Sequence, residues 1–450
     1  MKITFLGATG TVTGSRYLIE YSDQKILVDC GLFQGLKELR LMNREPFPVD
    51  PKTLDAVLLT HAHLDHSGYI PRLFREGFKG PIYATSATVD LCKILLLDSA
   101  SIQEEEARHA KRHGYSRHAE PEPLYTTDDA TLALNHFHAC PWQKTFHLPK
   151  GLEFSFSHAG HILGAASIHI SFEGKSITFT GDVGRPLDPV LPPPQLLKPT
   201  DYLVIESTYG DRKHEDIDPT KPLAELIQNI KKNNSVLLMP AFAVGRTQSL
   251  LYQLWGLKIS GQLLDIPIYV DSPMASDVTA LYIKHSADHG LKSGLCQEIF
   301  GIANYIRTPE ESKELSKQKG PMILLSASGM ITGGRILHHL IAFGGDPNNY
   351  IAIAGYQAAG TRGAKLVQGD KELKIFGQMV PIRAQVVELP NQSAHADADE
   401  LLAWLKPVKA PKLTLVTHGE PIASKTFCGR LQMELQWNAQ TPVLGQEIEL

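Results

Sequence analysis

The stretch LLTHAHLDHSG, residues 58–68, places His61, His63, Asp65 and His66 within six residues, directly after an apolar run. So many ionisable side chains at the end of a buried strand are costly unless they are paired or hold an ion. Within a strand His61, His63 and Asp65 would alternate to one face; in a loop they can converge. Neutral imidazole and carboxylate suit zinc and related divalent cations. Two such ions, about 3.5–4 Å apart, need roughly eight ligand bonds, more than this cluster supplies. Further candidates follow other apolar runs: Asp29 in ILVDCG, His161 in SHAGHILGA, Asp182 in TFTGDVG and His418 in LVTHGE. Loops at strand ends can gather on one edge of a layered sheet.

Around this cluster the chain reads as two domains. Its 450 residues exceed what one hydrophobic core usually covers. With 43% hydrophobic and 20% charged residues, the composition is that of an ordinary globular protein. The net charge of −4 gives no general attraction to polyanions, so a nucleic-acid partner requires a local basic surface. The segment 209–385, with 19 basic and 16 acidic side chains, is the net-positive part. Five scattered cysteines without a CxxC pair read as buried free thiols in a reducing compartment. MKITFLGATG reaches glycine too soon for a signal peptide, and no apolar run approaches the ~20 residues that span a bilayer. A cytoplasmic location without membrane partners is the expectation.

Gly7, Gly10 and Gly14 resemble a dinucleotide fingerprint, which requires a following helix. SRYLIEYSDQKILVDCG instead predicts two strands around a polar turn at 22–24. A helix is predicted near Pro71, and the mixed charges of 104–118 read as a solvated helix face. Residues 153–182 are strand-rich, and LPPPQ at 191–195 is a proline linker. From about Tyr209 apolar strands such as SVLLMPAF, GPMILLSASG and NYIAIAGY alternate with helical patterns, which predicts a parallel sheet with crossovers.

The histidine cluster, with Asp29, His161 and Asp182 in this order, resembles the metallo-β-lactamase superfamily. That resemblance implies an αββα sandwich and a two-metal hydrolase. Glu206 in LVIESTYGDR, His395 in NQSAHADADELLAW and His418 in LTLVTHGE match the three extra motifs of its β-CASP nuclease branch. PAFAVGRTQ, DSPMA, SASGMITGGR and GYQAAGTRGAKL agree with bacterial and archaeal ribonucleases related to the endonuclease of the pre-mRNA cleavage and polyadenylation factor. Ala364 departs from the arginine often found there. The implied fold class is α/β: a metallo-β-lactamase αββα sandwich, residues 1–208 and 386–450, with an inserted α/β (β-CASP) domain, 209–385, carrying a mainly parallel sheet.

The resemblance also implies the site. His61, His63, His161 and Asp182 bind one zinc; Asp65, His66, Asp182 and His418 bind the second, with Asp182 bridging and manganese as the alternative metal. Asp29 orients a ligating histidine. A metal-activated hydroxide attacks phosphorus in line. His395, oriented by Glu206, gives a proton to the leaving 3′-oxygen, leaving 5′-phosphate and 3′-hydroxyl ends. Asp65 belongs to both the metal and the catalytic sets. Glycine-rich loops after strands suggest RNA contacts at Ser328, Gly329 and Thr361, with Arg246 and Arg335 as charge partners. Single-stranded RNA is the expected substrate, in RNA processing or degradation, and a homodimer is compatible with the sequence. The competing readings are a small-molecule ester or thioester hydrolase of the same superfamily and a non-catalytic RNA-binding scaffold.

Overall fold

A computed structural model describes residues 1–113, 121–215, 217–263, 265–292 and 294–450. The chain divides into two compact units. One comprises Met1–Asp188, Pro192–Lys213 and His395–Leu450; the other comprises Pro189–Leu191 and His214–Ala394.

The first unit holds two seven-stranded sheets. One runs Glu447–Glu449, Lys2–Phe5, Tyr17–Tyr21, Gln24–Val28, Ala56–Leu58, Ile82–Thr85 and Phe137–Cys140. The other runs Ala439–Gln440, Leu413–Val416, Tyr202–Ile205, Lys175–Phe179, Ala166–Phe172, Glu153–His158 and Phe146–His147. Their facing sides share one core: Ile3, Ile19, Val28 and Leu58 from the first sheet meet Phe156, Ile168, Phe179 and Leu415 from the second. Side-chain alternation then forces a second core on the outer face. Val204 points into the shared core, whereas Leu203 and Ile205 pack outward against the helices Ala398–Leu405 and Pro421–Glu434. The helices Ser86–His113 and Thr127–Leu134 pair along the first sheet's side of the unit, the former on its edge strands. The result is a helix–sheet–sheet–helix sandwich.

After Gly14 the chain enters the strand Tyr17–Tyr21, paired antiparallel with Gln24–Val28 across the turn at 22–24, so the glycines form a loop and no dinucleotide-type helix follows. The helix Ile70–Arg75 carries Pro71 in its first turn, where a missing N–H costs nothing. All five cysteines are buried and free. Residues 114–118 of the charged stretch lie outside the described residues. Among the described residues no helix is long and apolar enough to cross a membrane.

The second unit holds a six-stranded parallel sheet in the order Asn304–Tyr305, Ile268–Asp271, Met322–Ser326, Val236–Pro240, Tyr350–Ala354 and Gln385–Leu389. Its central strands, such as VLLMP and YIAIA, are buried throughout, as a sheet covered on both faces requires. Gln385–Leu389 pairs with Tyr350–Ala354, so this unit extends to Ala394, past the boundary expected at 385. At its other end the first unit retains residues 209–213.

Candidate active site

The site is built where strands of both sheets of the first unit end. Val28 pairs in parallel with Leu58, which carries Asp29 and the histidine stretch out of the same edge. In the second sheet the parallel pairs Phe179↔Val204 and Ile205↔Val416 bring the ends before Asp182, Glu206 and His418 together. The strand Ala56–Leu58 stops before the first histidine, so the cluster lies in a loop and a single helical turn, Leu64–Ser67. That turn is pinned by backbone. Ser15 N–H donates to Asp65 O (2.8 Å), Cys30 N–H to His66 O (2.7 Å) and Leu32 N–H to Leu64 O (2.8 Å). Gly31 is required for this approach, because a Cβ there would sit 1.6 Å from Asp65 O.

Asp29 and His418 both adopt left-handed backbone, φ +57° and +46°, which non-glycine residues rarely accept. Such backbone persists where the surroundings over-determine it, often at functional sites. Asp29, fully buried, accepts from Thr60 N–H, from Thr60 Oγ1 and from His66 Nδ1, each at 2.8 Å. A carboxylate only accepts, so His66 donates from Nδ1 to Asp29, while its Nε2 faces Asp182 Oδ1, 3.3 Å away; burial works against its charge, but these two carboxylates raise its pKa well above the ordinary histidine range. Thr60 Oγ1 gives its proton to Asp29 and therefore accepts from His61 Nδ1, 3.1 Å away, which leaves His61 Nε2 deprotonated. On His418, Nδ1 lies 3.2 Å from Thr208 Oγ1.

Asp182 stands between two groups of side chains. Its Oδ2 lies 3.5 Å from His61 Nε2 and 3.5 Å from His161 Nε2; its Oδ1 faces His66 and, at 3.5 Å, His418. His63 Nδ1 is 3.2 Å from His61 Nε2 and 3.3 Å from His161 Nε2. His66 Nε2 is 3.2 Å from His418 Nε2, and Asp65 Oδ2 is 3.5 Å from the latter. The structure thus brings the seven expected ligands into two adjoining groups, His61–His63–His161–Asp182 and Asp65–His66–His418.

This donor set fits divalent cations. Asp182 Oδ1 and His161 Nδ1 are buried without a hydrogen-bond partner, although Oδ1 has two imidazoles at ion-pair distance. Burial pushes His61 and His161 well below the ordinary histidine range and His63 down to about 4. They are therefore neutral and able to ligate. Burial opposes charge on Asp182 as well, but the facing imidazoles, His418 and His66 foremost, outweigh it and hold the carboxyl well below its usual range.

His395 adjoins the cluster, its ring centroid 4.4 Å from that of His161. It is tied by an antiparallel bridge to Gly184. Its Nδ1 lies 3.0 and 3.2 Å from the two oxygens of Glu206, which is 2% exposed. Glu206 is itself fixed by Val183 N–H (2.6 Å) and Thr208 N–H (3.2 Å). Burial works against a charged His395, yet the Glu206 carboxylate, followed by Asp182 and Asp65, raises its pKa to about 9. Asp397, two residues on, caps the helix Ala398–Leu405.

The five expected RNA contacts all fall in the second unit. Arg335 donates to Asp271 Oδ1 (2.5 Å) and to the carbonyls of Ile306 and Arg307. Asp271, fully buried, also takes Ser312 Oγ (2.5 Å) and His339 Nε2 (2.6 Å). Thr361 caps Arg362–Val367, accepting from Ala364 N–H and donating to Ala358 O. Ala364 is buried in that helix. Ser328 closes its own loop, accepting from Thr332 and Gly333 N–H. Gly329 is buried against Phe242. Arg246 opens the helix Arg246–Ile259. Thr60 and Thr208, which support His61 and His418, were not singled out in the sequence; Thr60 directly precedes a histidine, whereas nothing beside Thr208 in the chain marks it.

A sheet sandwich with this histidine–aspartate cluster at its strand ends defines a metal-dependent hydrolase. Family models match the metallo-β-lactamase superfamily at residues 9–218, the β-CASP domain at 247–366 and the Zn-dependent metallo-hydrolase RNA specificity domain at 379–442. A ribonuclease of Thermus thermophilus is 39% identical over 428 residues, covering 93% of each chain. An RNase J-like protein of Methanocaldococcus jannaschii is 32% identical and covers 98% of each. A transcription termination factor of the same organism is 29% identical over 93% of this chain and 67% of its own. A crystal structure of a protein of unknown function from Enterococcus faecalis V583 shares the fold at TM-score 0.54 and 16% identity, covering 100% of this chain and 99% of that one. The chain belongs to the metallo-β-lactamase superfamily, in its β-CASP ribonuclease branch.

Proposed function

We propose that the protein is a two-metal ribonuclease that hydrolyses RNA phosphodiester bonds to 5′-phosphate and 3′-hydroxyl ends. The observation that carries this reading is the placement of a Glu206-held His395 beside seven ligand-type side chains that share Asp182. The ribonuclease names of two relatives and the RNA specificity domain support RNA as the substrate.

His61, His63 and His161 would hold one cation and Asp65, His66 and His418 the other, with Asp182 shared between the two groups. Bound zinc or manganese supplies a water ionised at neutral pH and neutralises charge on the phosphoryl oxygens. Asp29 and Thr60 fix the tautomers of His66 and His61, so the ligating nitrogens need no reorganisation. His395, charged at neutral pH, donates its proton to the leaving 3′-oxygen, and Glu206 holds the ring in place as it does so.

The test is a time course with end-labelled RNAs bearing 5′-hydroxyl, monophosphate or triphosphate ends, with zinc or manganese present. Metal-dependent cleavage is expected, as internal fragments for an endonuclease or mononucleotides from the 5′ end for an exonuclease. No cleavage with either metal would overturn the reading.

A further inference from the structure

At the end of the strand Tyr202–Ile205, three consecutive buried residues hold two different parts of the site. Glu206 faces His395 Nδ1 with both oxygens. Ser207 and Thr208 reach instead to the loop that carries His418. Ser207 N–H donates to His418 O at 3.1 Å, and its hydroxyl donates to Thr417 O at 2.8 Å. Thr208 Oγ1 donates to His418 O at 3.3 Å and lies 3.2 Å from His418 Nδ1. Thr208 N–H turns back to Glu206 Oε2 at 3.2 Å. The ring centroids of His395 and His418 are 6.3 Å apart, with the rings 24° from parallel.

The His418 loop is built to receive these contacts. His418 takes left-handed backbone, which persists where its surroundings over-determine it. Its own N–H is bonded to Ala8 O at 2.7 Å. Glycine follows at 419 because no side chain fits: a Cβ there would sit 2.3 Å from Ser207 Oγ and 2.7 Å from Ser424 Oγ. A hydroxyl carries one proton. Thr208 gives it to His418 O, so its oxygen accepts from Nδ1–H. Asp182 Oδ1, 3.5 Å from that nitrogen, is likewise an acceptor. Nε2 is thereby left to face Asp65 and His66.

We infer that Ser207 and Thr208 form a clamp that fixes His418 relative to the Glu206–His395 pair, with Thr208 as the positioning residue that presents His418 Nε2 to the second cation. The inference rests on the metal-site part of the ribonuclease reading. The proton donor and a ligand of the second cation are then held by one tripeptide, so their separation is set before any substrate arrives. A displacement that needs a proton at the leaving oxygen and charge neutralisation beside it depends on that spacing.

Two variants test it. Thr208→Val removes the hydroxyl and keeps the backbone N–H on Glu206; Thr208→Ser keeps both. Zinc and manganese are titrated into chelator-stripped protein, and the visible absorption of cobalt(II) reports the geometry of the bound ligands. In Thr208→Val the affinity for the second ion should fall roughly 10–100-fold, with the first ion bound as in the wild type. The cobalt spectrum of the fully loaded variant should change, and Thr208→Ser should restore both affinity and spectrum. At saturating metal, Thr208→Val should lose about tenfold in kcat for RNA and keep KM, since the clamp holds a ligand and the proton donor. A Thr208→Val protein with wild-type metal affinity and spectrum overturns the inference. So does a Thr208→Ser protein as weak as Thr208→Val, because the methyl group and not the hydroxyl would then carry the effect. Equal weakening of both ions, with a lower melting temperature of the metal-free protein, also overturns it in favour of a purely structural role. The titration needs no RNA, so a wild type that binds two ions without cleaving RNA overturns the ribonuclease reading alone, and a wild type that binds no ion overturns both.

Discussion

His395 Nδ1 lies 3.0 Å from Glu206 Oε1, a pair formed across 189 residues of chain. The carboxylate is buried, is held by two backbone N–H groups and faces the imidazole with both oxygens. In the proposed mechanism this pair transfers a proton, whereas His61, His63 and His161, held neutral by burial, hold metal. Replacing His395 by alanine should therefore leave metal content intact and lower RNA cleavage by roughly 10²–10⁴-fold. Glu206→Gln should also retain metal and lose activity by about tenfold or more. Metal analysis alongside single-turnover rates checks both; wild-type turnover in His395→Ala contradicts the assignment.

The hydrogen-bond chain from His66 through Asp29 to Thr60 and His61 gives a separate expectation. Asp29→Asn and Thr60→Val remove no ligand, yet each disturbs the tautomer of a ligating ring. Metal affinity should weaken by roughly 10–100-fold in either variant, measured by chelator competition. Affinity equal to that of the wild type would mean that these residues only brace the loop.

His418 joins Asp65 and His66 from a strand end far along the chain, and the proposal makes it a ligand of the second cation. His418→Ala should reduce bound metal from two ions per chain toward one, measured by elemental analysis after gel filtration, and reduce cleavage with it. Two ions retained in the variant would remove His418 from the ligand set.

Asp271 sets an acid limit on stability away from the site. Burial raises its pKa, but hydrogen bonds from His339, Ser312 and Arg335 more than offset this and hold it below the usual carboxylate value. Because the folded value is the lower one, its contribution is fully present above the unfolded pKa of about 3.9 and is lost as pH falls through the folded value. Thermal melts of the wild type should fall steeply in that window. Asp271→Asn should be less stable at neutral pH by about 3–5 kcal/mol, since Arg335 and His339 lose a buried partner, and its melting temperature should vary less with acid. Parallel pH profiles for the two proteins would contradict this.

The sequence carries the metal site more openly than its supports. His61, His63, Asp65 and His66 are visible because ligation demands those residue types at short spacing. Asp182 and His161 are visible because they follow apolar runs beside glycine. The alternating pattern after Tyr209 announces the parallel sheet, because a strand covered on both faces must be apolar throughout. Thr60 and Thr208 are hidden, since a threonine becomes a support only when sheet register sets its hydroxyl against a particular imidazole. Arg335 shows the same limit: its partner Asp271 lies 64 residues earlier, at the end of the strand Ile268–Asp271, which is brought near by parallel pairing with Met322–Ser326. The extent of the second unit past 385 follows from the pairing of Gln385–Leu389 with Tyr350–Ala354, which no local pattern encodes.

The central claim is that solvent oxygen is delivered to an RNA phosphorus with departure of the 3′-oxygen. Cleavage in heavy-oxygen water, followed by mass spectrometry of the fragments, measures this directly. The expected result is one solvent oxygen on each new 5′-phosphate and none on the 3′-hydroxyl, with product formation abolished by chelation and restored by zinc or manganese. Fragments ending in a 2′,3′-cyclic phosphate or a 3′-phosphate, or cleavage indifferent to chelation, would contradict it.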